Sequence, residues 1–249
     1  MVRVLDTREY WTIPELWPGE SVLVIGGGHS LVGFDWGPLK NFNVIGCNDA
    51  YLLGDWVDVV LSGDPDWLRC HCKRQEYRDF KGLRVSLAPI LSNDEDPDNP
   101  FPPAGDEGRT HHVRRISKGC SEGRNELGWH ENTGAAAICL AVKMGASQVF
   151  LYGFDMKLHY DEKNKEWRNN WHQNNLDGPD PDVFVKHIGG HETVKAYMDK
   201  HHPKVGIYNC GPDSFLLTWP MLSPAYPATE EESFQRILQG IPLEEACLL

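Results

Sequence analysis

The sequence predicts an α/β fold: a Rossmann-like, open and mostly parallel sheet with helices on both faces. Three observations favour this class. Short runs of apolar residues recur along the 249-residue chain, as is typical of strands that are buried on both faces of a parallel sheet. One of these runs ends directly in three glycines, Gly26, Gly27 and Gly28. Another follows a predicted helix after a very short link, which is the αβ half of a βαβ unit.

Six segments are predicted as strands of this sheet. Each is a mostly apolar run followed by small or polar residues that indicate a turn. In parallel sheets, ligands bind at the carboxyl ends of the strands, so the residues that follow these segments are the candidates for a site. In chain order the segments are 22–25, 43–47, 57–61, 83–87, 148–152 and 206–210.

Three helices are predicted, two of them with their caps. The first covers residues 132–145, with Asn132 or Thr133 as its N-cap and Gly145 at its end. The second covers residues 190–201. The third begins at a capping box over residues 229–232 and runs to residue 239.

We expect residues 1–249 to form a single α/β nucleotide-binding domain. Residues 92–108 are rich in Asp, Pro and Gly and have no periodicity, so they predict a mobile loop, either a lid over the site or a surface loop. Residues 157–190 are rich in His, Trp and polar side chains, and they predict a polar insertion at the active site.

Composition and charge disfavour several classes of protein. The formal net charge of −12 argues against binding to duplex DNA or to an anionic membrane surface. No apolar run reaches the length of about 18 residues that a membrane span needs. Residues 1–20 are polar and rich in Trp, unlike a signal peptide, and the seven cysteines are irregularly spaced. We therefore expect reduced thiols and a cytoplasmic location.

The first candidate binding element is the turn in VLVIGGGHSL, residues 22–31. Consecutive glycines let the backbone approach a phosphate closely, and Ser30 can cap the next helix and donate its hydroxyl. The turn is not a P-loop, since no Lys follows it. It is not the dinucleotide fingerprint either, since Leu31 replaces the third glycine. A tight turn without a ligand is the alternative.

Polar side chains follow the next two predicted strands. Asn48 offers both a donor and an acceptor to a nucleobase or a ribose, unless it satisfies the backbone of its own loop. Asp64 and Asp66 are suited to Mg²⁺ or to ligand hydroxyls. An Asx turn before a helix is the alternative for this pair.

Two further side chains are candidates for acid–base chemistry. Asp155 follows the fifth predicted strand and is suited to binding a hydroxyl or to general-base catalysis, with a helix cap or a salt bridge as the alternative. His172 lies in a polar segment rich in Trp and Asn. It is a candidate general base, although a lone His is often structural or simply exposed.

Two blocks of the sequence resemble the sialyltransferase-like superfamily. This group includes bacterial lipooligosaccharide sialyltransferases and proteins similar to 6-hydroxymethylpterin pyrophosphokinase. The first block is VLVIGGGHSL with VIGCNDAYLLGDWVDVVLSGDPDW, and the second is NTGAAAICLAVKMGASQVFLYGFDM. The segment NCGPDSFLLTWP resembles the last strand and turn of the group, and residues 167–172 resemble bacteriophage members. The likeness covers residues 22–67, 132–156 and 206–220.

The resemblance implies roles for particular residues. A later His serves as the general base in the family, which assigns that role to His172, and Asp155 ends the strand with the family's G-x-D pattern. Tyr160 takes the place of a family tyrosine because Met156 occupies the position after Asp155. The residues expected to bind the nucleotide or its sugar are Gly26, Gly27, Gly28, Ser30, Asn48, Asp64, Asn209 and Ser214.

These expectations give one leading hypothesis and two alternatives. The leading hypothesis is a glycosyltransferase that moves a sugar from a nucleotide-activated donor to a hydroxyl acceptor, either a glycan or a modified nucleobase. It requires no cofactor and no metal site, with Mg²⁺ as an optional addition. The alternatives are a Mg²⁺-dependent, pyrophosphokinase-like enzyme that uses ATP and a non-catalytic nucleotide-binding protein. A homo-oligomer and the cytoplasm of a bacterium or of a phage-infected host are compatible with each.

Overall fold

The computed structural model describes residues 10–88, 110–117, 119–168, 170–172, 180–211 and 213–225. Eleven strands lie in these ranges. They are β1 (Ser21–Ile25), β2 (Asn43–Cys47), β3 (Val59–Ser62), β4 (Leu83–Ser86), β5 (Thr110–His112), β6 (Arg114–Ile116), β7 (Glu126–Gly128), β8 (Gln148–Tyr152), β9 (His159–Asp161), β10 (Glu166–Arg168) and β11 (Gly206–Asn209).

Seven of these strands form one open sheet in the order β11-β8-β1-β2-β3-β4-β5. Every adjacent pair in it is parallel. The predicted fold class is confirmed. Strands β2 and β8 have the predicted bounds, and the other four predicted strands differ by one or two residues at their ends. Strands β2 to β5 follow one another on one side of β1, whereas β8 and β11 lie on its other side. The strand order therefore reverses between β1 and β8.

Helices cover both faces of this sheet. They are α1 (Pro65–His71), α2 (Gln75–Asp79), α3 (Thr133–Lys143) and α4 (Asp182–His201). Because side chains alternate along a strand, Val22 and Val24 of β1 belong to the core cluster that contains α3 and α4. Leu23 and Ile25 belong to the opposite cluster, which contains side chains of α1 and α2. This explains why the central strands read as continuous apolar runs.

Helix α3 lies directly against the sheet because its packed face is made of small side chains. Ala135, Ala136 and Ala137 are fully buried. As predicted, Asn132 caps the helix: its Oδ1 accepts hydrogen bonds from Gly134 N at 2.9 Å and from Ala135 N at 3.2 Å.

Helix α4 begins at Asp182 rather than at the predicted residue 190. The Gly189–Gly190 pair weakens the helical pattern in the sequence. In the fold, a Cβ at Gly190 would lie 3.1 Å from His130 Cβ, so this glycine lets α4 approach the turn at residue 130. The predicted insertion therefore contains the β9–β10 hairpin and the first turns of α4. Residues 92–108 and 229–239 lie outside the described ranges.

Cys120 and Cys139 form a disulfide whose Cα atoms are 5.8 Å apart. The expectation that all cysteines are reduced is therefore wrong for this pair. Cys47, Cys70, Cys72 and Cys210 are free. Among the helices that the structure describes, none combines the length and the apolar character needed to cross a membrane.

Candidate active site

A cavity of about 300 Å³ lies at the carboxyl ends of β1, β2 and β8, where the strand order reverses. This is the position at which open α/β sheets bind ligands. Seven of the eleven site residues that the sequence predicts line this cavity: Gly26, Gly27, Gly28, Asn48, Asp64, Asp155 and His172.

Close packing accounts for two of the three glycines of the turn after β1. A Cβ at Gly26 would lie 2.6 Å from Gly153 O, and a Cβ at Gly28 would lie 2.7 Å from the same oxygen and 2.5 Å from Asp155 Cγ. A Cβ at Gly27 would lie 2.6 Å from Asn170 Oδ1, the end of a side chain that can turn away. The glycine run is therefore not by itself a sign of bound phosphate.

The segment at residues 170–172 lies across this glycine turn. Trp171 donates its backbone N–H to Gly27 O at 2.8 Å and its indole N–H to Gly26 O at 3.1 Å. These two bonds fix the segment and bring the neighbouring His172 to the cavity.

Asp155 ties the turn after β8 to the turn after β1. Its Oδ1 accepts the Ser30 hydroxyl at 2.6 Å, and its Oδ2 accepts the Ser30 backbone N–H at 2.8 Å. Ser30 does not line the cavity, so its hydroxyl acts on Asp155. Each carboxylate oxygen keeps a further lone pair for a ligand hydroxyl.

Asn48 combines an uncommon backbone with an unsatisfied side chain. Its φ of 51° lies in the left-handed region, which Asn tolerates better than most residues. Its Oδ1 is buried and has no hydrogen-bond partner among the described residues. A buried acceptor without a partner costs about 1–3 kcal/mol, and a ligand donor in the cavity would remove that cost.

His172 is one of two histidines in the described cavity lining, with His187. Its side chain is 10% exposed, and its Nδ1 lies 3.6 Å from Asp49 Oδ2. Burial lowers the pKa of His172, and the charge of Asp49 acts in the opposite direction. The ring is therefore neutral near pH 7, with a lone pair available to accept a proton. Its Nε2 lies 3.6 Å from the position of a Cβ on Gly27.

The N-termini of two helices also reach the cavity. Thr133 and Gly134 of α3 line it, as do Val183, Phe184 and His187 from the first turns of α4. Helix N-termini carry partial positive charge and present backbone N–H groups to anions. The described lining contains no Lys or Arg, whereas Asp64, Glu131 and Asp155 are acidic. The positive potential available to a phosphate in the lining itself therefore comes from the helix dipoles, because Asn132 already accepts from Gly134 N and Ala135 N. Outside the lining, the charge of Arg115 acts on Asp64 and Glu131.

Three predicted residues are used elsewhere in the fold. Tyr160 lies on the β9–β10 hairpin, edge-on to Trp167, and does not line the cavity. Asn209 donates to Ser214 Oγ at 2.9 Å and to Leu216 O at 3.1 Å. Ser214 in turn donates to Phe154 O. This buried network holds the loop after β11 against the turn after β8, so both side chains are already satisfied.

Asp64 has a structural task although it lines the cavity. Its Oδ1 accepts from Asp66 N at 2.8 Å and from Trp67 N at 3.3 Å, and so caps α1. The alternative of an Asx turn before a helix is thereby confirmed. Asp66 is exposed and forms an ion pair with Arg69. Within the described ranges, no group of three or more His, Cys, Asp or Glu side chains is arranged to hold a metal ion.

Asp49 and His71 lie behind His172 and were not among the predicted site residues. Both are buried, and His71 Nε2 lies 3.6 Å from Asp49 Oδ1. The sequence signals were an Asp at the second position after a strand and a His between two cysteines. Neither signal reveals that the two side chains meet.

Comparisons with known proteins describe the fold. No protein-family model and no curated protein matches the chain. The sialyltransferase CstII from Campylobacter jejuni, solved with cytidine-5'-monophosphate, gives a TM-score of 0.45 at 15% identity over 83% of this chain and 86% of that one. Its complex with a trisaccharide acceptor and CMP gives 0.46 at 15% identity, over 82% and 86%.

Another solved structure gives a higher TM-score. The MAf glycosyltransferase from Magnetospirillum magneticum AMB-1 gives a TM-score of 0.53 at 13% identity, over 86% of this chain. The matched part is 36% of that protein. At this identity the likeness concerns the fold alone: the chain shares its Rossmann-like fold with part of a glycosyltransferase.

Proposed function

We propose that this protein is a glycosyltransferase that transfers a sugar from a nucleotide-activated donor to a hydroxyl acceptor. The observation that carries the proposal is the position of His172, a neutral base in the same cavity as Asn48 and the N-terminus of α3. The fold shared with the MAf glycosyltransferase and the motifs that resemble the sialyltransferase-like superfamily support the same assignment.

The donor's nucleotide lies against Asn48 and the turn after β1. Asn48 Oδ1 accepts a hydrogen bond from the nucleobase or the ribose, which satisfies its buried oxygen. The phosphate lies at the N-terminus of α3, where Thr133 and Gly134 line the cavity. Because the described lining has no Lys or Arg, the helix N-termini stabilise the leaving phosphate, with Mg²⁺ as an optional addition.

The chemical step is a single displacement. Nε2 of His172 takes the proton of the acceptor hydroxyl, and the acceptor oxygen attacks the anomeric carbon of the donor sugar. The bond from that carbon to the phosphate oxygen breaks, and its electron pair leaves with the nucleotide. Asp155, held by Ser30, accepts a hydrogen bond from a sugar hydroxyl and orients the ring.

The Mg²⁺-dependent, pyrophosphokinase-like enzyme is the second candidate, and the acidic lining is the observation that favours it. Asp64, Glu131 and Asp155 all line the cavity, and a Mg²⁺–ATP complex brings its own phosphate ligands to one or two carboxylates. Asp66, which the sequence also makes a candidate for Mg²⁺, is exposed and paired with Arg69.

A thermal-shift panel tests the proposal. We expect a cytidine or other sugar nucleotide to raise the melting temperature without Mg²⁺, because a ligand at 100 times its Kd adds about 2.7 kcal/mol. Asn48→Ala should lose this shift. Asn43→Ala is the matched control, since Asn43 bonds to Glu20 at the opposite end of β2. A shift with Mg²⁺–ATP alone would support the second candidate, and no shift with any nucleotide would contradict both.

Turnover separates an enzyme from a binding protein. His172→Gln should keep the nucleotide shift and lose donor consumption by about 10²–10⁴-fold, the usual contribution of a positioned base. Donor hydrolysis, followed by release of the free nucleotide, measures this before the acceptor is known. Equal turnover in the variant would remove His172 from the mechanism.

A further inference from the structure

The carboxylate of Asp49 is the centre of a buried polar chain behind the cavity. Asp49 is fully buried in the 3₁₀ segment Asn48–Leu53. The indole N–H of Trp67 donates to its Oδ1 at 2.6 Å. His71 Nε2 lies 3.6 Å from Oδ1, and His172 Nδ1 lies 3.6 Å from Oδ2. Three ring nitrogens from α1 and from residues 170–172 thus converge on one acceptor.

Tyr51 lies at the outer end of this buried polar chain and fixes the direction of its hydrogen bonds. The positive charge of Arg74 acts on the Tyr51 hydroxyl, where it attracts the oxygen lone pairs and turns the proton away. The Tyr51 proton then goes to His71 Nδ1, 2.8 Å away. Burial lowers the pKa of His71 to about 4, so its ring is neutral near pH 7. Its single ring proton is therefore on Nε2 and faces Asp49.

We propose that Asp49 is a positioning residue that holds the proton of His172 on Nδ1, so that Nε2 is the basic atom at the cavity. An ionised carboxylate only accepts hydrogen bonds, and Nδ1 is the ring atom that faces it. The other tautomer would set the Nδ1 lone pair against Oδ2. The catalytic consequence rests on the proposed function, whereas the tautomer of His172 does not.

The length of the contact is consistent with a resting site. At 3.6 Å the pair is within ion-pair range but longer than a hydrogen bond. Catalytic contacts in structures without substrate are often long and tighten in the complex. The described groups whose charge bears on the His172 ring are Asp49 and His71, and Arg74 acts on His71 from behind.

Asp49→Asn should invert the tautomer, because the neighbours of the new amide fix its orientation. Trp67 and His71 both face Oδ1 of Asp49, so the amide oxygen of the variant takes that place and its NH₂ replaces Oδ2. The amide then donates to His172 Nδ1, and the ring proton must move to Nε2. The variant therefore removes the lone pair of His172 from the cavity side.

NMR of protein with ¹⁵N-labelled histidine measures the tautomer without any ligand. We expect neutral His172 to carry its proton on Nδ1 in the wild type and on Nε2 in Asp49→Asn, with a lower pKa in the variant because the nearby charge is lost. His172→Gln assigns the signals. Asp58→Asn is the control, since the Asp58 carboxylate accepts from Val44 N on the far side of β2, and it should leave the His172 signals unchanged.

Two outcomes would overturn the proposal. One is a neutral His172 that already carries its proton on Nε2 in the wild type, and this measurement does not depend on the folding of any variant. The other is a folded Asp49→Asn variant that keeps the wild-type tautomer and pKa. If the transferase is also confirmed, donor consumption should fall by roughly 10²–10⁴-fold in Asp49→Asn with little change in nucleotide binding. An inverted tautomer without any nucleotide binding would retain the positioning role and reject only the proposed function.

Discussion

The turns after β1 and β8 are in contact because Gly28 has only a hydrogen as its side chain. Gly28 N donates to Gly153 O at 2.7 Å, and a Cβ on Gly28 would lie 2.7 Å from that oxygen as well as 2.5 Å from the Asp155 carboxylate. Both obstacles are rigid, since one is backbone and the other is held by Ser30. The turn is therefore closed by contacts that a larger residue would break.

Gly28→Ala should consequently destabilise the fold by about 1–3 kcal/mol, the usual cost of overpacking. Gly189→Ala is the matched control, because a Cβ there meets nothing within 4 Å in helix α4. We expect that change to be neutral or to stabilise by about 0.5–1 kcal/mol. Urea unfolding of the two variants measures both effects, and equal midpoints would contradict the packing argument.

His191 is a second residue whose surroundings set a measurable property. It is fully buried, and Trp219 donates its indole N–H to His191 Nδ1 at 3.2 Å. Burial lowers the pKa of His191 to about 3. Above the ordinary value of 6.5 both the folded and the unfolded states are neutral, whereas below it the unfolded state alone gains a proton. Stability is therefore present above about pH 6.5 and falls as the pH drops toward 3.

The wild type should thus lose up to about 1.4 kcal/mol more per pH unit than His191→Gln below pH 6. Urea unfolding at half-unit intervals from pH 7 to pH 4.5 gives the two slopes. The difference between them isolates His191, because the other buried histidines remain in both proteins. Parallel curves would show that His191 becomes protonated in the folded state.

The contact between Ser30 and Asp155 joins two elements that are distant in the chain. The 3₁₀ segment His29–Leu31 follows β1, and Asp155 follows β8. Ser30→Ala should lower stability by about 1–2 kcal/mol, because the bond is charge-assisted and partly buried. A double-mutant cycle with Asp155→Asn measures the coupling. Ser223→Ala on the exposed surface is the control, and additive effects would mean that the two side chains do not interact.

The Cys120–Cys139 disulfide ties the chain before β7 to helix α3. It closes a loop with a sequence separation of 19, for which the loss of chain entropy in the unfolded state is worth roughly 3 kcal/mol. Adding a reductant should lower the urea midpoint of the wild type and leave that of Cys139→Ala unchanged. Mass spectrometry after alkylation under non-reducing conditions counts the free thiols. Labelling of both cysteines in the folded protein would contradict the pairing.

The long central elements were predictable from sequence, and the short ones were not. Strands buried on both faces have continuous apolar runs, and α3 has a cap and a small-residue face. Strands β5, β6, β7, β9 and β10 have three residues each, which is too short to show any periodicity. Helices α1 and α2 have seven and five residues. Helix α1 is defined by the Asp64 cap, and both helices are defined by contacts with the sheet.

The site divides in a similar way. Residues at strand ends were found because a parallel sheet brings those ends together. The composition of its segment made His172 a candidate, and the structure shows that it lines the cavity. Asp49 was missed because its significance depends on meeting His71 of α1 and the segment at residues 170–172, which are far apart in the chain. Ser30, Asn209 and Ser214 have the right residue types at the right strand ends, but their hydrogen bonds go to the protein.

The cavity is lined by two halves of the described sequence, residues 10–88 and residues 110–225. Gly26, Gly27 and Asn48 come from the side that contains β1 and β2, whereas Thr133 and Asp155 come with α3 and β8. A nucleotide that spans the cavity therefore contacts both halves at once. Since the halves share one continuous sheet, binding should raise the stability of the molecule as a unit.

Hydrogen exchange with mass spectrometry tests this directly. Binding should slow exchange in peptides that cover residues 26–28 and 48–53 and equally in those that cover 133–134 and 153–156. Helix α2 is an internal control, because none of its residues, Gln75–Asp79, lines the cavity. Protection limited to one half would place the nucleotide at a single strand end. The sequence predicts Tyr160 of the β9–β10 hairpin as a site residue, but Tyr160 does not line the cavity. Protection of the hairpin would instead indicate that Tyr160 contacts the leaving phosphate.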